Sequence, residues 1–164
     1  PTLECTISEI LHKQGFHKMN EFTKILYFAY GSNLSIRQMN NRCPSNSKIG
    51  IGQLSGYKWI ISARGYANVV KSSDEDVWGI IYEISISDEE KLDVYEGVST
   101  KCYVKENLDI LMDGKIQNCL TYVDPTTEEG VPTSTYANTI DEGLCDSKLP
   151  EEYVEKHLRP KITL

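Results

Sequence analysis

The dipeptide Asp113-Gly114 separates two runs of β-forming residues, Cys102 to Leu111 and Lys115 to Val123. Asp-Gly is strongly favoured at a two-residue type I′ turn, because that turn needs a positive φ angle at both positions. The sequence therefore predicts a β-hairpin here. Glycine-containing or polar turns separate four more β-rich stretches before it: Ser47 to Leu54, Tyr57 to Ser62, Ala67 to Lys71 and Val77 to Ile84. Together these stretches predict a strongly bent antiparallel sheet or a barrel.

Helices are expected around these strands, which makes the predicted fold class α+β. Ser35 precedes Gln38 by three residues, and Ser87 precedes Glu90 by three, which is the spacing of an N-terminal capping box. The helix after Ser87 should end before Gly97. Two later helical patterns complete the set, near Thr135 to Cys145 and Glu151 to Ile162.

The 164 residues suffice for one domain with a hydrophobic core and are too few for two. We assign the domain to residues 24–164 and interpret residues 1–23 as an N-terminal extension, weakly helical around Ile7 to Leu11. The formal charge is −7 with no basic cluster, so nucleic acid is not expected as a partner. No apolar run approaches the roughly 20 residues that span a bilayer. The five cysteines form no Cys-x-x-Cys pair, so we expect a cytoplasmic protein, not membrane-bound, with each cysteine simply buried.

Several common chemistries lack the residues that they need. All three histidines, His12, His17 and His157, lie in terminal segments, so a Ser-His-Asp triad, a Cys-His pair or a histidine zinc site is not expected in the core. The glycines between Gly50 and Gly56 lack the spacing of a dinucleotide loop, and we interpret them as bulges or close strand crossings. We therefore expect no cofactor and no metal.

The stretch Tyr30-Gly31-Ser32-Asn33 follows a buried strand predicted from Lys24 to Tyr30 and precedes a helix start. A turn of this kind can present successive backbone N–H groups to an anion, either a substrate carboxylate or an oxyanion that forms during attack on a carbonyl. An ordinary turn with no ligand is the alternative interpretation. The residues leave both open.

Glu96 stands at the end of a predicted helix, directly before Gly97-Val98. Partial burial and the negative end of the helix dipole would both raise the pKa of its carboxyl group toward neutrality, where it could exchange protons in both directions. The alternative is an ordinary solvated carboxylate, because most acidic residues face water.

These residues, in this order, resemble the γ-glutamylcyclotransferase family over about Leu26 to His157. The resemblance rests on Tyr27-Phe28-Ala29-Tyr30-Gly31-Ser32-Asn33-Leu34, Asp76-Val77-Trp78-Gly79, Leu92 to Val98, Tyr103 and Tyr122 on the hairpin, Tyr136, and Leu149-Pro150-Glu151-Glu152-Tyr153. It implies a small mixed, mainly antiparallel β-barrel with flanking helices. It also implies a small-molecule γ-glutamyl substrate, release of 5-oxoproline, and no cofactor.

The resemblance also assigns roles to individual residues. Glu96 would move protons, Asn33 would brace the pocket and Tyr136 would close one wall. The glutamyl pocket would be lined by Tyr27, Phe28, Ala29, Tyr30, Gly31 and Ser32.

Two segments depart from the family pattern, Arg64 to Asn68 and Ser99 to Tyr103, and both bear on the leaving-group side. The leaving group, an amino acid or another amine, therefore stays open. Asn33 replaces the leucine typical of the glutathione-specific branch, so direct cleavage of glutathione ranks second. A catalytically silent binding module on the same fold is also compatible with these residues. So is acyl or aminoacyl transfer from γ-glutamyl donors in a biosynthetic pathway. Self-association as a homodimer is left open as well.

Overall fold

The computed structural model describes residues 23–163, and it contains a closed five-stranded barrel. The strands lie in the order β1-β3-β2-β4-β5, and β5 pairs with β1 to close the barrel. This last pairing is parallel and the others are antiparallel. The predicted mixed, mainly antiparallel barrel is thus confirmed. The strands span β1 Lys24–Ala29, β2 Ser47–Ile61, β3 Ala67–Ser85, β4 Val104–Met112 and β5 Lys115–Val123.

The four strands predicted between Ser47 and Ile84 were wrong in number, because β2 and β3 are two long strands that pair with each other. The breaks that we predicted inside β2 and inside β3 correspond to one irregularity in the pairing of these two strands. Ser55 pairs with Asp76 and Tyr57 with Lys71, so that Gly56, at φ 79°, lies opposite residues 72–75. A polar stretch in β3 therefore continues the strand instead of ending it.

The glycines of β2 have the structural roles that we expected. A Cβ atom at Gly52 would lie 2.5 Å from the Ile110 side chain of β4, so only glycine allows the two strands to approach this closely. Gly56 occupies the bulge. The stretch from Gly50 to Gly56 is thus strand rather than the strand-to-helix turn of a dinucleotide loop.

The hairpin around Asp113-Gly114 is confirmed. Both residues have positive φ angles, 50° and 76°, as a type I′ turn requires, and β4 pairs with β5 from Val104 opposite Val123 to Met112 opposite Lys115. The first strand begins two residues later than predicted, at Val104.

Four helices flank the barrel within the described part of the chain: α1 Ile36–Arg42, α2 Ile86–Tyr95, α3 Ser134–Ser147 and α4. The last consists of the α-helical turn Glu151–Tyr153, the π-helical turn Val154–Leu158 and the α-helical turn Arg159–Ile162. All four were predicted in type and position. None of the helices within residues 23–163 has the length and apolar character that crossing a bilayer requires. The predicted helical character around Ile7 to Leu11 lies outside the described residues.

The helix caps correct one prediction. Ser85, not Ser87, is the N-cap of α2; its hydroxyl accepts a hydrogen bond from the Asp88 N–H at 3.1 Å, and the Asp88 carboxylate closes the capping box. At α1 the predicted cap Ser35 is correct and accepts from the Gln38 N–H at 3.2 Å. The Gln38 side chain, however, donates to Asn33 instead of completing the box.

Helix α3 packs against the short 3-10 helix Ser32–Leu34 that follows β1. A Cβ atom at Gly143 would lie 2.7 Å from the Leu34 side chain, so the contact depends on glycine. Asn33 and Leu34 are both buried beneath the helix. The residues that follow β1 are therefore held between the barrel and α3.

The cysteines follow the expected burial only in part. Cys43 and Cys119 are buried, whereas Cys102 is half-buried and Cys145 is exposed. All four are free thiols, and Cys5 lies outside the described residues.

Candidate active site

A cavity of about 340 Å³ opens where the segment after β1, helix α1, the β2–β3 loop, the end of α2 and helix α3 meet. Eight of the nine predicted site residues line it: Tyr27, Phe28, Tyr30, Gly31, Ser32, Asn33, Glu96 and Tyr136. The ninth, Ala29, is buried in β1, where its carbonyl oxygen packs against Gly79 of β3. The structure thus brings together residues that lie far apart in the sequence.

The backbone at Gly31 passes through a narrow gap. A Cβ atom there would lie 2.9 Å from the Ala67 Cβ and 3.3 Å from the Tyr136 hydroxyl. Within residues 23–163, the N–H groups of Gly31, Ser32 and Asn33 have no hydrogen-bond acceptor. These donors line the cavity in a segment that precedes a helix, which is an arrangement suited to an anion.

Asn33 links several parts of the site through its side chain. Its Nδ2 donates to the Tyr27 hydroxyl at 2.9 Å, and its Oδ1 accepts from Gln38 Nε2 at 3.2 Å and from Arg42 Nη1 at 3.1 Å. Its carbonyl oxygen accepts from the Tyr82 hydroxyl at 3.0 Å. This buried amide therefore fixes the segment relative to β1, β3 and α1.

Tyr136 of α3 and Tyr103 hold Ala67, the first residue of β3, from two sides. The Tyr136 hydroxyl accepts from the Ala67 N–H at 3.1 Å, and the Tyr103 hydroxyl donates to the Ala67 carbonyl at 2.7 Å. The same hydroxyl lies beside the backbone of Gly31, 3.3 Å from the position that a Cβ atom would take there. One phenol thus joins α3, the start of β3 and the segment after β1.

Glu96 is the C-cap residue of α2, where the helix ends as Gly97 turns into the left-handed conformation at φ 62°. Its carboxylate is half-buried in the cavity, and it has no hydrogen bond or ion pair among residues 23–163. Burial raises the pKa of the Glu96 carboxyl, and the charges of Arg42 and Arg64 oppose that rise. The predicted direction of the shift is confirmed.

Tyrosines line much of the cavity, and they are neutral donors rather than bases. Burial raises the pKa of Tyr136 to about 12 and raises the pKa values of Tyr27, Tyr30 and Tyr103 above their ordinary value. No cluster that could hold a metal ion occurs among the described residues. Glu96 is thus the lining group best suited to exchange protons near neutral pH.

Two lining residues, Arg42 and Arg64, were missed as site residues by the sequence analysis. Arg42 lies one helical turn after Gln38, and both side chains donate to Asn33. This i, i+4 spacing after the cap at Ser35 was the available signal. Arg64 falls in a segment that departs from the family pattern, and its position in a loop gave no sign of its direction.

Comparison with known proteins gives matches over most of the chain. Residues 76–157 match the model of the AIG2-like family. The mouse protein named γ-glutamylcyclotransferase is 30% identical over 151 residues, covering 85% of this chain and 80% of its own length. The human protein of the same name is also 30% identical, covering 80% of this chain and 76% of its own length.

A solved structure of a γ-glutamyl cyclotransferase has the same fold, with a TM-score of 0.76 at 29% identity. The similarity covers 82% of this chain and 86% of that one. The sequence and structural matches agree. The chain therefore belongs to the γ-glutamylcyclotransferase family of AIG2-like proteins.

Proposed function

We propose that this protein is a γ-glutamylcyclotransferase that converts a γ-glutamyl amide into 5-oxoproline and a free amine. The substrate's α-nitrogen attacks its own γ-carbonyl carbon, and the C–N bond to the leaving amine breaks. Because the attack is intramolecular, effective molarities of about 10⁵ to 10⁸ M are available once the substrate is folded back on itself. The protein then needs only to hold that conformation and move protons.

In the proposed mechanism Glu96 moves those protons. The α-ammonium loses one proton before attack and another as the lactam forms, and the leaving nitrogen gains two to depart as an ammonium ion. A carboxylate between the two nitrogens accepts from the first and donates to the second, so that it returns to its starting state in each cycle. The N–H groups of Gly31, Ser32 and Asn33 bind the substrate α-carboxylate or the oxyanion of the tetrahedral intermediate.

The observation that carries this proposal is that the Glu96 carboxylate has no hydrogen bond or ion pair within residues 23–163. A half-buried carboxylate without a partner costs stability, and its raised pKa suits it to both accept and donate a proton. Glu96 also lies in the cavity rather than in bulk water, which favours an enzyme over a binding module.

Formation of 5-oxoproline tests the proposal. The panel contains γ-glutamyl-alanine, glutathione and γ-glutamyl-ε-lysine, and the variant is Glu96→Gln. Loss of the proton shuttle should lower kcat by about 10²- to 10⁴-fold. The matched control is Glu90→Gln, an exposed carboxylate on the same helix, which should retain wild-type activity.

Two outcomes would count against the proposal in different ways. A folded wild-type protein that turns over no member of the panel would defeat the claim of an enzyme. Full activity in Glu96→Gln would leave the reaction in place and remove Glu96 as the shuttle. The cytoplasmic location and the homodimer stay predictions.

A further inference from the structure

Two guanidinium groups line the cavity with Glu96, and among residues 23–163 only one of them has a carboxylate partner. Arg64 donates from Nε to Asp124 Oδ2 at 3.0 Å and from Nη2 to the Cys102 carbonyl at 2.8 Å. Its Nη2 also lies 3.0 Å from Asp124 Oδ2, which makes the two side chains an ion pair. The Asp124 carboxylate is almost fully buried, so Arg64 is held in this ion pair. Its charge is already compensated within the protein.

Arg42 has no such partner in the part of the chain that the structure describes. Its Nη1 donates to the neutral Asn33 Oδ1, and its guanidinium group lies 4.7 Å from the centre of the Tyr95 ring. Across residues 23–163 no carboxylate forms an ion pair with it. An aromatic face and an amide oxygen orient a cation without neutralising it. Arg42 is therefore a held guanidinium with free donors and no ion-pair partner among residues 23–163, which is the state that binds a carboxylate.

The position of Arg42 indicates which carboxylate of the substrate it would bind. The tyrosines at the base of the cavity are almost fully buried, with Tyr27 at 4% and Tyr122 at 3% exposure, whereas Tyr95 beneath Arg42 is 58% exposed. The glutamyl group is common to all substrates and suits the enclosed part, near the free N–H groups. The leaving group varies in size and must depart, so it belongs at the open side where Arg42 lies.

We propose that Arg42 binds the carboxylate of the leaving amino acid and is the residue that distinguishes this carboxylate from a neutral group at the same position. This inference rests on the proposed function. The leaving nitrogen must contact Glu96 to receive a proton, and the carboxylate of an α-amino acid is two bonds from that nitrogen. The carboxylate therefore lies beside Glu96. Tyr95, the residue before Glu96 in the sequence, contacts the Arg42 guanidinium with its ring on this same side of the cavity.

Two substrates that differ only in this carboxylate test the proposal. γ-Glutamyl-alanine carries it, and γ-glutamyl-alaninamide replaces it with a neutral amide of nearly the same shape. Because hydrogen bonds to charged groups are the strong ones, Arg42→Gln should lower the ratio of kcat/KM for the acid to kcat/KM for the amide by about 10- to 100-fold. Arg42→Lys should retain part of the preference, because it keeps the charge and loses the bidentate fork.

The ratio separates binding from indirect effects. Arg42 also lowers the pKa of Glu96, so its removal changes proton transfer, but this change affects both substrates and cancels in the ratio. The control is Arg37→Gln on the same helix, whose exposed guanidinium pairs with Glu142 away from the cavity. It should leave the ratio unchanged. Equal losses on both substrates in Arg42→Gln would overturn the proposal, because Arg42 would then act on the glutamyl part or through Glu96.

Failure of the proposed function is distinguishable from failure of this inference. If folded wild-type protein makes no 5-oxoproline from either compound, the enzyme is disproved, and titration calorimetry with the same two compounds still tests Arg42. Tighter binding of the acid that disappears in Arg42→Gln supports the carboxylate site. Equal affinity of wild type for the acid and the amide refutes it.

Discussion

Among individual residues, Glu96 shows most clearly how position changes chemistry. The chain has 24 acidic residues, and several on the surface pair with lysine or arginine, as Glu142 does with Arg37. Glu96 instead ends a helix whose last turn leads into the cavity, and no cation is close enough to pair with it within the described chain. Its ionised form is therefore less favourable in the folded protein than in water.

This has a consequence for stability that does not depend on the substrate. A carboxyl with a raised pKa binds its proton more tightly in the folded state, so the free energy of unfolding falls as pH rises from the ordinary value of about 4.3 through the raised pKa. Glu96→Gln removes that loss. We expect the variant to unfold at a higher temperature than wild type at pH 7, with the difference vanishing near pH 4.

Thermal unfolding followed by circular dichroism at both pH values measures this effect, with Glu90→Gln as the exposed control. A Glu96→Gln variant that is less stable than wild type at pH 7 would mean that the ionised carboxylate has favourable partners in solution.

Among the elements, β1 matters most to the site because the anion-binding segment follows it directly. The strand pairs with β3 from Lys24 opposite Ser85 to Ala29 opposite Ile80. At its end, a Cβ atom at Gly79 would lie 2.3 Å from the Ala29 carbonyl oxygen and 2.7 Å from the Phe28 ring. Glycine at position 79 therefore determines how closely β1 approaches β3, and with it where Gly31 lies.

Gly79→Ala should consequently damage both stability and function. The obstacle includes backbone, which cannot move aside as a side chain does, so we expect a loss of about 2–3 kcal/mol in the free energy of unfolding and a marked loss of kcat/KM. Gly50→Ala is the matched control in the same barrel, because the nearest atoms to its new methyl group belong to the flexible Met112 side chain, at 3.0 Å. Urea unfolding of the two variants should differ clearly, and equal losses would contradict the argument.

The elements also show what the sequence could predict. The hairpin at Asp113-Gly114 was predicted correctly because its turn depends on local backbone preferences. The cap of α2 was misplaced because Ser85 and Ser87 both precede an acidic residue by three positions. The pairing of Ser85 with Lys24 extends β3 up to the true cap, and no local pattern contains that information. The same long-range pairing carries β3 through the polar residues 72–75.

The candidate site also contains residues that the sequence could predict and residues that it could not. The segment Tyr30 to Asn33 and Glu96 were identifiable because each stands at the end of a predicted element. Arg42 and Arg64 were not, because their roles depend on where Tyr95 and Asp124 are placed by the fold. Sequence patterns locate backbone ends better than they locate the side chains that reach across a cavity.

At the scale of the whole molecule, the strands of the barrel are joined by pairings of very different length. β2 and β3 pair from Ser47 opposite Glu83 to Ile61 opposite Ala67, whereas in the part of the chain that the structure describes β1 and β5 share one registered pair, Tyr27 with Leu120. β2 and β4 likewise share one, Gln53 with Leu111. The β4–β5 hairpin is thus joined to the rest of the sheet by one registered pair at each of its two edges.

We expect this hairpin to open as a unit before the rest of the protein unfolds. Hydrogen exchange should show amides of β4 and β5 exchanging through a smaller free energy of opening than amides near Ile80 and Ile81, which should exchange only with global unfolding. Exchange followed by mass spectrometry in rising denaturant measures both. Identical protection of the hairpin and of β3 would contradict this expectation, because it would show that the short pairings of β1 with β5 and of β2 with β4 resist opening as well as the long pairing of β2 with β3.

The parallel pairing of β1 with β5 also constrains how the protein is made. β1 is among the first parts of the domain to leave the ribosome, yet its second neighbour, β5, contains Leu120 and follows all the other strands of the barrel. Until then β1 has an open edge, of the kind that pairs with other chains. The cavity is complete only when Tyr136 has also been synthesised, so the candidate active site forms late. A translation product that ends before β5 would therefore have the exposed, aggregation-prone edge of β1 and no active site.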